Sequence, residues 1–508
     1  MTVTLATFME VLDSSIANVA LPHIAGSLGA TFDEATWILT SYLVSSAIVL
    51  PVSGWLSTMI GRKRFYMTCV ALFTICSFFC GIATSLPMLV IARIFQGAGG
   101  GGLQPSEQAI LADSFPVEKR GMAFAMYGMA VVVAPAIGPT LGGWITDNFN
   151  WHWIFFINLP IGLISLVLTH RLVEDPPWLK EENRSGIRID YIGLALIVIG
   201  VACFQLVLDK GQEDDWFASR LILTMFSIGV PTLFAFFLWE WYHENPIVDV
   251  RLLKNRNFGT AVFFSFTLGM VLFGSTVLIP EFLQNSLGYT AERAGMALSP
   301  GGLVLMLMMP IAGRLTGTKI DPRLLVAIGF LGTSLTLHLM TIIYVGIDFR
   351  TIILLRMIQV IFMPLIFIPI STLNYIGVPR EKNNQVSGLS NFARNLGGSI
   401  GTSLLTTFLS RQNQTHQKAF AAHTTNGDYN FQQFLSGLKA AFLAQGYDTV
   451  TATRKAVAMA YQMVQQQASA LSFENSFWIM SLIVACLTPL PFIMRRPRPG
   501  EQQPRAAH

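Results

Sequence analysis

Apolar residues run along this chain in long blocks, most of them without a polar face. A helix needs about 20 apolar residues to cross a bilayer. Fourteen segments reach that length: 3–25, 36–59, 65–84, 88–112, 122–144, 153–171, 191–209, 218–242, 258–283, 294–316, 324–345, 351–374, 386–409 and 476–494. They are numbered spans 1 to 14 below. The pattern predicts an all-α integral membrane protein of 14 transmembrane helices.

The charges between the blocks set an orientation. With the N-terminus inside, the cytoplasmic loops hold Arg62, Lys63, Arg64, Lys119, Arg120, Arg171, Lys180, Arg184, Arg188, Arg251, Lys254, Arg256, Arg314, Lys319, Arg323, Arg380 and Lys382. Four more arginines, Arg495, Arg496, Arg498 and Arg505, follow span 14. The short outer loops hold only Lys210, Arg220, Arg293 and Arg350. That bias places both termini in the cytoplasm. Span 1 opens almost at Met1 with no basic flank, so it reads as a helix that stays rather than a cleaved signal. The sequence leaves open an N-terminal arm ahead of it.

Composition agrees: 52% of the 508 residues are hydrophobic and 12% charged, against about 25% charged in soluble domains. The net charge of +4 is spread over short loops and forms no patch for nucleic acid. All five cysteines lie in apolar stretches. Cys76 and Cys80 are one turn apart, but no further Cys or His stands at ligand spacing, so no metal site is expected. There is no nucleophile–base pair to suggest an enzyme and no P-loop to suggest ATP. The glycine run Gly97, Gly99, Gly102 fits G-x-G-x-x-G, but no strand precedes it and no acid stands at the right distance after it. It reads as a helix-packing surface.

The chain carries an internal repeat. Arg93 and Gln96 recur as Arg356 and Gln359; Pro116, Glu118 and Lys119 recur as Pro379, Glu381 and Lys382 in the same register. Pro51, Gly54 and Leu56 recur as Pro310, Gly313 and Leu315. Polar residues and prolines seldom match by chance in apolar helices. The division follows: 1–171 as a six-helix half, 172–257 as a linker with two inserted spans, and 258–494 as the second half, including an outer loop at 410–475. A cytoplasmic tail occupies 495–508.

The stretches LDSSIANVALP (12–22), GWLSTMIGRKR (54–64), RIFQGAGGGG (93–102), PAIGPTLGGWI (135–145), WHWIFFINLPIG (151–162) and NPIVDVRLLKNRNF (245–258) carry a resemblance. The chain resembles the 14-helix drug/proton antiporter branch of the major facilitator superfamily, and within it the EmrB-type multidrug exporters. The resemblance implies a proton gradient as energy source and no cofactor. It implies small lipophilic substrates, an inner-membrane location, and a periplasmic membrane-fusion adaptor with an outer-membrane channel as partners. It also implies a cytoplasmic gating loop at Gly54, Gly61, Arg62, Lys63 and Arg64, although Thr58 stands where the superfamily has an acid.

Candidate coupling residues lie inside the apolar layer. Arg93, Gln96, Gly97, Gly100, Gln104 and Glu107 share one face of span 4, which cannot face lipid, since a central Arg costs about 2.5–3.5 kcal/mol there. The resemblance implicates Arg93 in proton coupling; a purely structural arginine is the other reading. Glu10 and Asp13 share a face of span 1. Two anions that close in low dielectric disfavour each other, which suits a site that alternates between proton and substrate. Pairing of one acid with Arg93 or Arg356 is the alternative. Glu107, and Glu281 near the outer end of span 9, are further proton or substrate candidates. In span 5, Ala130, Ala134, Gly138 and Gly142 place small residues at four-residue spacing, with Pro135 and Pro139 between and Gly143 following. The resemblance makes this the antiporter motif. Arg394 in span 13 is expected to snorkel, with binding of an anionic group as the other reading, and His338 in span 11 to be a core histidine, with a titrating one as the alternative. The outer loop shows two amphipathic helices, at 431–445 and 453–472. Export of lipophilic compounds, transport of one defined metabolite (a siderophore, amino acid or sugar) and membrane sensing without transport all remain open on the sequence.

Overall fold

The computed structural model describes residues 2–175, 189–318, 320–425 and 427–495. The predicted loop residues Lys180, Arg184, Arg188 and Lys319, and the tail from 496 on, lie outside them. Every long element is helical, and no strand occurs among the described residues.

Eleven helices are long and apolar enough to cross a membrane. They are spans 2 (Phe32–Ile60), 3 (Arg62–Gly81), 5 (Glu118–Asn148), 6 (Trp153–Leu172), 7 (Tyr191–Lys210), 8 (Arg220–Tyr242), 9 (Arg256–Asn285), 10 (Arg293–Thr316), 11 (Pro322–Ile342), 12 (Phe349–Leu373) and 14 (within Thr449–Ile493). The other three predicted segments are helical as well, so the count of fourteen rests on them. Span 1 (Thr4–Leu28) carries Glu10 and Asp13. Span 13 lies in a helix, Asn383–Ala422, that is rich in Asn, Ser and Gly. Span 4 is two helices, Leu86–Gly100 and Leu103–Ser114, separated at 101–102.

Small residues decide who packs on whom. The glycine run lies between spans 2 and 3. A Cβ on Gly101 would sit 2.5 Å from the Ser46 carbonyl of span 2, and one on Gly99 2.8 Å from the Phe73 backbone nitrogen of span 3. Gly97 likewise abuts Tyr42 of span 2, and Gly102 abuts Cys69 of span 3. Such contact lets three helices approach backbone to backbone. Span 5 packs along span 1, with Gly138 on Ser15 and Gly142 on Ile16; span 13 packs along span 9, with Gly397 on Phe266 and Gly401 on Met270. Spans 5 and 10 meet at Gly121 and Gly313, where a Cβ on either would come within 2.8 Å of the other's carbonyl oxygen. Spans 7 and 8 pack on each other, and span 7 leans on spans 2 and 13.

The outer segment differs from expectation. Helix Tyr429–Ala444 matches the first predicted amphipathic helix. The second is not separate: Thr449–Leu487 runs without a break into span 14, and the span 13 helix continues to Ala422. Neither 402–422 nor 449–487 contains Gly or Pro, so nothing stops the helices. At 40 and 39 residues, each is about 60 Å long, twice the hydrocarbon thickness. Asp448 starts the second by accepting the Val450 and Thr451 N–H groups.

Candidate functional site

Span 4 begins as an apolar helix and turns polar on one face seven residues in, at Arg93. The guanidinium is fully buried. Its Nη1 donates to Asp13 Oδ2 at 2.5 Å and to Gln96 Oε1 at 2.8 Å, and its Nε to the Ile38 carbonyl at 3.2 Å. The plane lies 4.2 Å from the Tyr42 ring centroid. The second Asp13 oxygen accepts from Asn158 at 2.6 Å and Gln96 at 3.1 Å, and both amides also donate to Ser77. Asp13 is 2% exposed, so the pair is dry, and its hydrogen-bond network draws on five spans, 1, 2, 3, 4 and 6. Of the two readings open for Asp13, the geometry is that of an ion pair with Arg93. Asn158 was not singled out from the sequence, although an amide inside the apolar run of span 6 was the available signal.

Glu10, one turn earlier on span 1, goes elsewhere. Tyr42 Oη donates to Oε1 at 3.2 Å and Gln104 Nε2 to Oε2 at 3.0 Å; no cation pairs with it among the described residues. Gln104 then links outward. Its Oε1 accepts from Arg394 Nη2 at 2.8 Å and from Tyr127 Oη at 3.0 Å. Arg394 also donates to Tyr127 Oη at 3.1 Å and Asn391 Oδ1 at 2.5 Å, and Asn391 Nδ2 donates to Gln108 at 2.9 Å. A continuous polar chain thus runs from Glu10 through span 4 to span 13. Arg394 does not snorkel: it is 8% exposed, because acceptors from spans 4 and 5 converge on it. It has no acidic partner among the described residues.

The other candidates are dispersed. Glu107 is fully buried, and neither oxygen accepts a hydrogen bond; Thr4 and Thr7 stand beside it without reaching normal geometry. Glu281 is half-buried and makes no ion pair among the described residues. His338 is exposed rather than in the core. Arg356 keeps its hydrogen bond to Gln359 and adds Ser275 at 3.2 Å and Thr276 at 3.1 Å, so it lacks the acid that Arg93 has.

In span 5 the helix Val117–Asn148 continues through Pro135 and Pro139, and Ser15 donates to the freed Pro135 carbonyl at 3.4 Å. Ala134 is fully buried, whereas a Cβ on Gly143 would meet nothing within 4 Å. In the basic loop, Gly61 takes φ +98°, a conformation closed to most side chains. Arg62 is 2% exposed and pairs with Asp113 at the end of span 4, and Asn383 at the start of span 13 donates to the other Asp113 oxygen at 2.6 Å. Lys63 binds Asp175 through its N–H and the His170 carbonyl through Nζ, and Arg64 is exposed. Thr58 only bonds back to Gly54 of its own helix, so Asp113 supplies the acid the loop lacks. Gly54 packs on Gln385 and Gly388 on Leu50, which shuts the seam of spans 2 and 13 at this end.

The chain has relatives. The Major Facilitator Superfamily model matches residues 3–402. "Multidrug export protein EmrB" of Haemophilus influenzae is 39% identical over 94% of this chain and 92% of its own length. "Fatty acid resistance protein FarB" of Neisseria gonorrhoeae is 37% identical over 97% and 95%. Among solved structures, the proton:xylose symporter XylE superposes with a TM-score of 0.61 at 15% identity, over 96% of this chain and 94% of that one. With sequence and fold in agreement, the chain is a multi-pass membrane protein that belongs to the major facilitator superfamily.

Proposed function

We propose that this protein is a proton-coupled antiporter that exports lipophilic compounds by alternating access. The reading places it in the inner membrane with both termini in the cytoplasm. Relatives named for multidrug export and fatty acid resistance support the substrate class. The projecting helices after span 13 offer a surface for a periplasmic adaptor, which would hand substrate to an outer-membrane channel.

The observation that carries the coupling is the chain Glu10–Gln104–Arg394. Glu10 has no counter-cation among the described residues, so it can change charge without breaking an ion pair. Gln104 has one acceptor and one donor end. With Glu10 ionised, the amide N–H₂ points at the carboxylate and the oxygen holds Arg394. A protonated Glu10 is itself a donor and is best met by the amide oxygen. Turning the amide over presents N–H₂ to a guanidinium, which has no acceptor, and the Gln104–Arg394 bond is lost, which leaves Gln108–Asn391 as the adjoining contact of span 4 with span 13. Proton uptake on span 1 thereby loosens the two halves. Asp13, held by Arg93, keeps spans 1, 4 and 6 together through the cycle.

Efflux of a lipophilic dye from proteoliposomes under an imposed pH gradient tests this. Wild type should follow the gradient. Glu10→Gln and Gln104→Leu should each lose the dependence on it. Wild-type efflux that ignores the gradient refutes proton coupling.

A further inference from the structure

The two halves use the same pair of residues differently. In the first half Arg93 Nη1 donates to Gln96 Oε1, and the guanidinium and the Gln96 amide together grip the Asp13 carboxylate. Their repeats keep the first bond: Arg356 Nη1 donates to Gln359 Oε1. The carboxylate is missing. Arg356 is 5% exposed, and its other partners, Ser275 and Thr276 of span 9, are neutral hydroxyls whose own protons go to the Leu272 carbonyl. Two N–H groups are left over: Arg356 Nε and Gln359 Nε2 are buried without an acceptor among the described residues. Turning the Gln359 amide does not cure this, because a guanidinium has no acceptor and must meet the amide oxygen. A third donor stands beside them. Within span 10 the helix restarts at Ser299, and Gly301 lies in its first turn, where N–H groups have no acceptor inside the helix. Gly301 lets that turn close on the arginine: a Cβ there would sit 3.1 Å from Arg356 Cγ and 3.4 Å from Nε.

We propose that Arg356, Gln359 and the first turn of the Ser299–Thr316 helix bind a small monovalent anion, chloride, from solution. A buried charge needs a counter-charge. A buried acid can become neutral by taking up a proton, but an arginine cannot shed its own. The groups left unmet around Arg356 are N–H donors, which selects an anion over a cation, and a helix N-terminus adds to the positive field there. One uncompensated positive charge calls for one negative charge, which favours a halide over a polyvalent ion. Arg356 stands seven residues into span 12, about 10 Å along the helix, so the ion has a short way from that end. Bound there, it does for the second half what Asp13 does for the first: it holds the arginine helix to a neighbouring one. The difference is that Asp13 is fixed to span 1, whereas a free anion comes and goes with its concentration. This binding depends neither on the export reading nor on Glu10.

Thermal unfolding of the purified full chain in detergent tests the site without requiring transport. Sodium gluconate is exchanged stepwise for sodium chloride at constant ionic strength, so that only the anion changes. A ligand that binds the folded state raises the melting temperature in a saturable way. Wild type should show a saturating rise of a few degrees, and bromide should act like chloride. Thr276→Asp places a carboxylate opposite Arg356 Nη2 and so supplies the missing charge from the chain itself. That variant should be as stable without chloride as wild type is with it, and should not respond to chloride. Gln359→Glu, which puts the acid on the other bonded partner, serves if Thr276→Asp does not fold. Arg356→Met should also lose the response. A wild-type melting temperature indifferent to chloride overturns the proposal, as does an undiminished response in Thr276→Asp or Arg356→Met. Crystals grown in bromide give the position: anomalous density beside Arg356 Nε is expected, and density at surface sites alone overturns the assignment.

Discussion

Asp13→Ala strands the Arg93 guanidinium. Arg93 is fully buried and Asp13 is 2% exposed, so water cannot take the place of the lost carboxylate. Arg93 retains Gln96 and the Ile38 carbonyl, both neutral acceptors, while Asn158 and Gln96 lose the acceptor they shared. Breaking a buried pair by removing one partner costs about 3–5 kcal/mol. The stranded amide donors add to this, but they belong to one network and do not sum independently. The expected loss is therefore about 4 kcal/mol. Denaturation by titrated SDS in mixed micelles, followed by helix content, gives the free energy. The Asp13→Ala/Arg93→Met double variant removes the orphaned charge and should recover about 2 kcal/mol or more of coupling energy. An Asp13→Ala loss under about 1 kcal/mol, or a double variant weaker than both singles, refutes the view that this pair is structural.

Gly97→Ala drives a methyl into the Tyr42 backbone of span 2 and should destabilise by about 1–3 kcal/mol, whereas Gly143→Ala meets open space and should be neutral or slightly stabilising; thermal unfolding of the two side by side checks this. Asp113→Ala frees both Arg62 and Asn383 and should open the seam at the basic-loop end, seen as faster thiol labelling of a Ser390→Cys reporter, now 5% exposed; an unchanged rate would show the latch is elsewhere. Asp249 lies in the loop before span 9. Partial burial alone would raise its pKa, but the Lys382 and Arg251 charges outweigh this and hold it below the ordinary value. Its contribution is present above the unfolded-state pKa and is lost as pH falls through the lower folded value. Acid destabilisation below about pH 4 should therefore be shallower in Asp249→Asn than in wild type, read from melting temperature against pH.

Much of this was legible in the residues because membrane burial writes itself in long apolar blocks and in the few polar residues that interrupt them. The polar face of span 4 followed from helical spacing, and its glycines were correctly read as a packing surface. What spacing within one helix cannot give is the partner from another. Glu10 and Asp13 looked like one site because they share a face, yet Tyr42 and Gln104 take the first while Arg93 and Asn158 take the second. Arg394 was expected to snorkel because the repeat offers it no partner, and its acceptors Gln104 and Tyr127 lie more than 260 residues away. Asp113 was not singled out from the sequence, because its partners Arg62 and Asn383 come from other helices. The outer helices were placed, but the continuity of the second with span 14 and the extension of span 13 to Ala422 were missed, because polar sequence was taken for a boundary where no helix breaker stands.

The central claim is that Glu10, not Asp13, exchanges its proton against substrate. Its most direct test is proton release on substrate binding, followed with a pH-sensitive dye in weakly buffered detergent solution. Wild type and Asp13→Asn should release protons when a lipophilic substrate is added, and Glu10→Gln should release none. Undiminished release from Glu10→Gln, with release lost in Asp13→Asn, would contradict the account and return the proton to the Asp13–Arg93 pair.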